Sequence, residues 1–443
     1  MGEEQTRSTS TSGREVSVAA MWPWIEEFVR AVESSAVELD SVAAREQATD
    51  KVREVLSGTT EVEAPTTEQN GAIFRLLGAC RVFMRDRRGI DALLTAETLD
   101  AVLVLAETRS WSSRVREEAL KCMINSVYSR PEFVSETLVV KGLVTRLMEL
   151  AKQGGTASLH WLIWKVLLVS CEAPEVLRYL STSLEAWKII CATLLYSFKN
   201  GNQAQIIAGD RATLLLDLIK LVSVLVNDMQ WTAEQEKLRP EVFHTVHHLG
   251  GLLLEILRFN HSEISPLNGA LIELKNAAME VFMLLPGSLL AAFIQQQDDN
   301  LKNAAGNKDE IDGSMLSSVI NHLQAMLLIV RIEKTRPLKD MLPVLIVCHN
   351  LAKTSDPGIL SCFKKAILPG TTLESAAGPP PAIDRTKMLF FKHLKFFLTC
   401  LHTDVRRYTS EWLFLLCDQN AKEYTNHTGV GNAIGLLRMK GLA

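Results

Sequence analysis

Strand-forming alternation is missing from this sequence. No stretch of convincing length alternates apolar and polar residues, which excludes a sheet as the organising layer. Aromatic residues are few, 6% against 47% hydrophobic overall; leucine, alanine and valine dominate, as helix packing favours. A strong positive field is missing as well. The formal net charge of −4 argues against a general nucleic-acid binder, which works by neutralising phosphates. No CxxC pair occurs. The cysteines Cys80, Cys122, Cys171, Cys191, Cys348, Cys362, Cys400 and Cys417 are scattered. Most lie in apolar helical runs, where a free thiol acts as a small buried hydrophobe, so a reducing compartment is expected. No uninterrupted apolar run suits a bilayer. The run 277–294 carries Glu280 and Pro286-Gly287, and the shorter run 157–171 carries Lys165. The polar amino terminus does not read as a secretory signal, because Pro23 and Glu26 break the first apolar stretch. A cytoplasmic location is expected. Met1-Gly2-Glu3-Glu4-Gln5-Thr6 fits a myristoylation pattern formally, but the acids after Gly2 disfavour it.

The marks of covalent chemistry are lacking too. There is no GxxxxGK[ST] loop, no GxSxG elbow and no GxGxxG after a strand. The expectation is no bound nucleotide, no cofactor and no enzyme activity. His244, His247 and His248 invite a metal reading, since His244 and His248 are one helical turn apart. No third ligand stands in a recognisable position, and the glutamate of HExxH is missing. Lys308–Gly313 has the wrong spacing for a calcium loop. No metal is expected.

What is present is helix after helix. Apolar residues recur at three- and four-residue spacing over 67–86, 112–128, 157–170, 184–198, 211–227, 240–258, 267–284, 314–332, 338–353, 385–402, 404–417 and 430–439. In 211–226, Leu214, Leu215, Leu218, Leu221, Val222 and Leu225 form one stripe, with Asp217 and Lys220 on the other face. Residues 1–14 are polar and Ser/Thr-rich and read as disordered. Most connectors are short and polar. Two long ones, near 295–313 and 370–383, read as mobile loops. Residues 15–443 read as a single domain. Helices of this length joined by short turns build either a globular bundle or an α-solenoid. At 443 residues the solenoid is favoured, because one core rarely grows past about 250–300 residues.

Two polar groups stand out. Arg81, Arg85 and Arg88 share one helical face if the helix runs that far. Such an array suits a carboxylate or acidic peptide, or is simply a solvated face. The segment Glu118-Ala119-Leu120-Lys121-Cys122-Met123-Ile124-Asn125 places Lys121 and Asn125 one turn apart.

The end of the chain is more specific. Residues 403–437 read TDVRRYTSEWLFLLCDQNAKEYTNHTGVGNAIGLL. Thr403, Asp404, Val405, Arg407, Glu411, Leu413, Phe414, Leu416, Cys417, Thr428, Gly429, Gly431, Asn432, Ala433, Gly435, Leu436 and Leu437 closely resemble, in one register, the C-terminal repeat of the synembryn family (resistance to inhibitors of cholinesterase 8). Thr428, Gly429, Gly431 and Asn432 form its glycine-punctuated turn. The resemblance implies an all-α, armadillo/HEAT-like right-handed superhelical solenoid. It implies a guanine-nucleotide exchange factor and folding chaperone for G protein α subunits (Gα), monomeric and acting by binding. It would reach the cell cortex or plasma membrane only transiently, through Gα.

In the family, an Arg-x3-Arg-Asp element lines the groove that holds the last helix of Gα; Arg81, Arg85 and Asp86 are similar to it. Lys121 and Asn125 are similar to a Leu-Lys-Cys…Asn element whose asparagine bonds that helix. Lys220 fits a family lysine, although the asparagine expected after it is replaced by Ser223-Val224-Leu225. Lys364, Lys365, Leu368 and Pro369 resemble a Lys-Lys-x-x-Leu-Pro element, without the arginines expected before it and with Asp356 nearby. Family members continue past the glycine motif into an acidic, phosphorylatable tail that these residues do not include. Groove binding is expected to survive that difference better than exchange. A generic armadillo/HEAT peptide-binding adaptor without exchange activity is the alternative reading.

Overall fold

A computed structural model describes residues 22–35, 39, 41–199, 209–229, 231–259, 269–294, 315–333, 338–369 and 382–442. The expectations for residues 1–14, for the Gly2 motif, for 295–313 and for most of 370–383 lie outside the described residues. Every regular element among the described residues is helical. The helices fall into two compact units, Met1–Val176 and Leu177–Ala443.

The first unit contains α1 (Trp22–Glu33), α2 (Val42–Thr59), α3 (Thr67–Phe83), α4 (Ala96–Glu107), α5 (Ser113–Ser129), α6 (Pro131–Val140), α7 (Leu143–Lys152) and α8 (Ala157–Ser170). Helices of successive repeats lie side by side in two ladders. One runs α1–α3–α5–α8 and the other α2–α4–α7. Contacts between neighbouring rungs bury Leu76, Leu77, Leu103, Leu105, Val115, Leu120, Leu147 and Ile163 completely or nearly so. The stack is held by apolar area shed from water at each rung, ~25 cal/mol per Å², and each rung depends on its neighbours.

The chain continues through α9 (Pro174–Thr182), which spans the boundary between the units. The second unit holds α10 (Leu184–Lys199), α11 (Gly209–Asp228), α12 (Ala233–Leu238), α13 (Pro240–Arg258), α14 (Gly269–Leu284), α15 (Met315–Glu333), α16 (Leu342–Lys353), α17 (Pro357–Ile367), α18 (Ala382–Phe396), α19 (Thr403–Leu416), α20 (Ala421–Thr428) and α21 (Val430–Met439). The same arrangement recurs. One ladder runs α11–α14–α16–α19 and the other α10–α13–α15–α18. Each unit is thus an α-solenoid stack, the one of the two expected helical arrangements that chain length and the family resemblance favoured. The expected stripe of α11 is buried at every position, Leu214 through Leu225.

Three local expectations need correction. Asp217 does not lie on an open face: it is 5% exposed, with Lys220 Nζ 4.0 Å from its carboxylate. The predicted helix 385–402 stops early. α18 ends at Phe396, a 3-10 turn covers Phe397–Thr399, and Cys400 is extended. The reason is the next helix: His402 must leave helical geometry to cap α19, its side chain accepting from Val405 N–H at 3.5 Å. The third correction, at the end of α3, bears on the candidate site.

Candidate functional site

The site begins with how α3 starts and stops. Thr66 and Gln69 form a reciprocal capping box, Gln69 N–H donating to Thr66 Oγ1 at 3.2 Å and Thr66 N–H to Gln69 Oε1 at 2.7 Å. The helix ends at Phe83, short of the expected residue 86. Arg45 of α2 ends it. Its guanidinium lies 3.7 Å over the Phe83 ring and donates to the carbonyls of Phe83 (2.8 Å), Asp86 (2.9 Å) and Arg88 (2.7 Å). A cation on terminal helix carbonyls is favoured by both hydrogen bonding and the helix dipole. The following turn closes at Gly89, whose φ is +64°; a Cβ there would sit 2.8 Å from Arg45 Cβ.

Arg81, Arg85 and Arg88 therefore do not share one helical face. Arg81 is in the last turn of α3. Arg85 is exposed on the turn beyond it, with Arg85 N–H donating to Val82 O at 3.1 Å. Arg88 is clamped on Asp86, with Nη2 donating to Oδ2 at 2.6 Å. That clamp, together with Arg88 N–H, holds the Asp86 carboxyl well below the usual carboxylate range.

The other matched residues gather on α5. Glu118 is a buried carboxylate, 4% exposed, and it carries two cations. Arg81 Nη1 donates to Oε1, and Lys121 Nζ donates to Oε2 at 3.2 Å. Two cations share one carboxylate, so the cluster keeps a net positive charge. Asn125 Nδ2 donates to Arg81 O at 3.3 Å, which ties the end of α3 to α5. Arg81 Nε is closed off from solvent and has no acceptor. Beneath the cluster lie Cys80 and Cys122. Cys122 Sγ donates to Leu77 O at 3.2 Å, and burial pushes the Cys80 thiol up to about 12, so these cysteines pack rather than react. Val82 of α3 and Tyr128 of α5 are exposed and add apolar surface to the same two helices. A cationic, amide-bearing patch with apolar flanks can take a helical or extended peptide carrying acidic groups.

Arg81, Lys121 and Asn125 are thus brought together, while Arg85 lies on the exposed turn after α3. Sequence reasoning missed Arg45 altogether, and it did not single out Glu118. The only sequence signal for Glu118 is its three-residue spacing from Lys121, common to many solvated pairs. Lys220 and Lys364 belong to the second unit. Lys220 is exposed on α11 and eases the charge on Glu280 of α14, whose carboxyl is pushed up mainly by burial. Lys364 of α17 donates to Asp418 Oδ1 at 2.6 Å, tying α17 to the turn after α19.

At the chain's end, Thr428 and Asn432 stitch α20 to α21. Thr428 Oγ1 donates to Tyr424 O at 2.7 Å, and Asn432 Nδ2 donates to Thr428 O at 2.9 Å. Between them Gly429 has φ 89° and ψ 148°, a region open essentially to glycine alone. Gly431 faces open space, so the turn itself does not require it.

His247 packs edge-on against Phe293 at 4.2 Å, and among the described residues His244, His247 and His248 do not converge on one point. One other trio of metal-capable side chains does converge: Cys417, Glu423 and His427, with ligand atoms all within 4.8 Å of one another.

In the first unit, then, a two-ladder helical stack carries a polar cluster on adjacent rungs. The family model described as guanine nucleotide exchange factor synembryn matches residues 76–443, and the chain belongs to that family. The chain is 24% identical to Chaperone Ric-8A of Macaca fascicularis over 387 residues, covering 83% of this chain and 68% of that one. To Chaperone Ric-8A of Bos taurus it is 24% identical over 386 residues, with the same coverage. A short stretch of 45 residues, 10% of this chain and 8% of the relative, is 44% identical to Chaperone Ric-8A of Xenopus laevis. A solved chain described under a phosphorylation switch in the interaction between cadherin and beta-catenin aligns with a TM-score of 0.44 at 12% identity, over 96% of this chain and 81% of that one. Among the described residues no helix is long and apolar enough to cross a membrane.

Proposed function

We propose that this chain is a nucleotide-exchange factor and folding chaperone for a G protein α subunit, and that it holds the last helix of Gα against α3 and α5. The observation that carries this reading is the cluster of Arg81, Lys121 and Asn125 around buried Glu118, in a chain of the synembryn family. Arg81 and Arg85 anchor the terminal carboxylate or nearby acidic groups of that helix. Asn125 fixes its register through its free amide oxygen. Lys121 adds positive charge to the same cluster.

Capturing the helix withdraws support from the loop of Gα that grips the guanine ring, so GDP affinity falls. No covalent step is needed. The chain acts by binding nucleotide-free Gα more tightly than loaded Gα, and by reciprocity GTP binding expels it. The same preference assists folding, because it stabilises an incompletely ordered Gα by mass action. In this reading the chain works as a cytoplasmic monomer and meets the membrane through Gα.

GDP release from purified Gα tests this directly. The chain is expected to accelerate release, and Arg81→Ala/Arg85→Ala is expected to remove the acceleration. Unchanged release in the presence of wild-type chain contradicts the exchange reading; binding without acceleration leaves a peptide-holding adaptor.

A further inference from the structure

We propose that Cys417, Glu423 and His427 form a zinc site that clasps the end of α19 to α20. The three ligand atoms lie within 4.8 Å of one another. They sit at graded depth: Cys417 is fully buried, while the side chains of His427 and Glu423 are 11% and 41% exposed. Glu423 and His427 are one turn apart on α20, and His427 Nε2 stands 4.0 Å from Glu423 Oε1. That gap is too long for a hydrogen bond. Small side-chain rotations around a shared ion close it.

A tight, hydrogen-bonded turn follows Cys417 and leads into α20. After α19 the chain turns back through Asp418 at φ 51° and Gln419 at φ 57°, two consecutive non-glycine residues in left-handed geometry. Gln419 N–H donates to Phe414 O at 3.0 Å and Asn420 N–H to Cys417 O at 2.8 Å. Asn420 then caps α20, accepting from Lys422 N–H at 2.9 Å and Glu423 N–H at 3.1 Å. Both sides of the trio are therefore held by hydrogen bonds and packing, and His427 is braced edge-on by Phe391 at 6.1 Å. Asp418 is engaged by Lys364 at 2.6 Å and stays outside the ligand set.

The donor set selects the ion. Thiolate, imidazole and carboxylate together suit zinc, whereas magnesium and calcium take oxygen shells. Three protein ligands leave a fourth tetrahedral position for water on the exposed Glu423 side. On binding, the Cys417 thiol releases its proton to solvent as the S–Zn bond forms; no oxidant or reductant is involved. The site stands whether or not the chain acts on Gα.

Cobalt(II) titration of the full, chelator-treated chain tests it, since a thiolate bound to cobalt gives a charge-transfer band that histidine and carboxylate cannot. The band is expected to saturate at one cobalt per chain and to vanish on adding zinc. Cys417→Ser is expected to abolish it, and the mild Glu423→Gln to weaken cobalt binding while preserving the fold; Cys362→Ser, a half-buried thiol outside the trio, is expected to leave it unchanged. Zinc is also expected to raise the unfolding midpoint of the wild type more than that of Glu423→Gln. Absence of the band in the wild type, or its persistence in Cys417→Ser, overturns the proposal. If Cys417→Ser fails to fold, an unchanged cobalt affinity in Glu423→Gln overturns it instead.

Discussion

Arg45 is the residue on which the geometry of the candidate site most depends. It is 6% exposed, and it donates to three backbone carbonyls at and beyond the end of α3. Arg45→Met keeps much of the volume and removes those bonds. A loss of ~3 kcal/mol in unfolding free energy is expected, because charge-assisted bonds to half-buried carbonyls are lost with no replacement. Denaturant unfolding measures it, and hydrogen exchange is expected to quicken over residues 84–89. A loss below about 0.5 kcal/mol would mean water serves those carbonyls equally well. Neither Arg45 nor the burial of Glu118 was legible in the sequence. A buried charge takes its meaning from partners some forty residues away, and helical periodicity carries no information about them. Arg81 stood out by its spacing as well as by the family resemblance, and Asn125 chiefly by the resemblance. Arg88 leaves the shared face because α3 ends at Phe83, and Asp86, two residues back, holds it.

At the level of single elements, helix existence was easy to read and helix ends were not. α8 and α13 fall where the periodicity puts them, since long apolar stripes have one satisfactory burial. α3 and α18 end early because a tertiary cap in one case, and the following helix's own cap in the other, overrides propensity. The turn between α20 and α21 is the element with the sharpest local demand. Gly429 sits at φ 89° with no atom within 4 Å of a would-be Cβ, so the cost of a side chain there is purely conformational. Gly429→Ala is expected to destabilise by about 2 kcal/mol. Gly431→Ala, in the first turn of α21 and equally open, is expected to be neutral or to stabilise by up to about 0.5 kcal/mol. Thermal unfolding of the pair separates the two. Equal effects would mean that the turn relaxes to an ordinary conformation.

On the scale of the whole molecule, each unit is a stack whose rungs repeat one packing solution; helix lengths and short connectors left this or a globular bundle, and chain length with the family resemblance favoured the stack. Repetition frees one face of each rung for recognition, because neighbouring rungs already bury the apolar stripes. In the proposed function the polar groups on that face decide what is held. In the first unit these are Arg81, Lys121 and Asn125, tensioned by Glu118. Fluorescence anisotropy of a labelled peptide copying the last helix of Gα measures the central claim with no nucleotide chemistry in the way. The account predicts saturable binding that weakens about tenfold or more in Arg81→Ala and in Asn125→Ala, equivalent to at least ~1.4 kcal/mol lost per side chain. Binding of the same strength in both variants would contradict it.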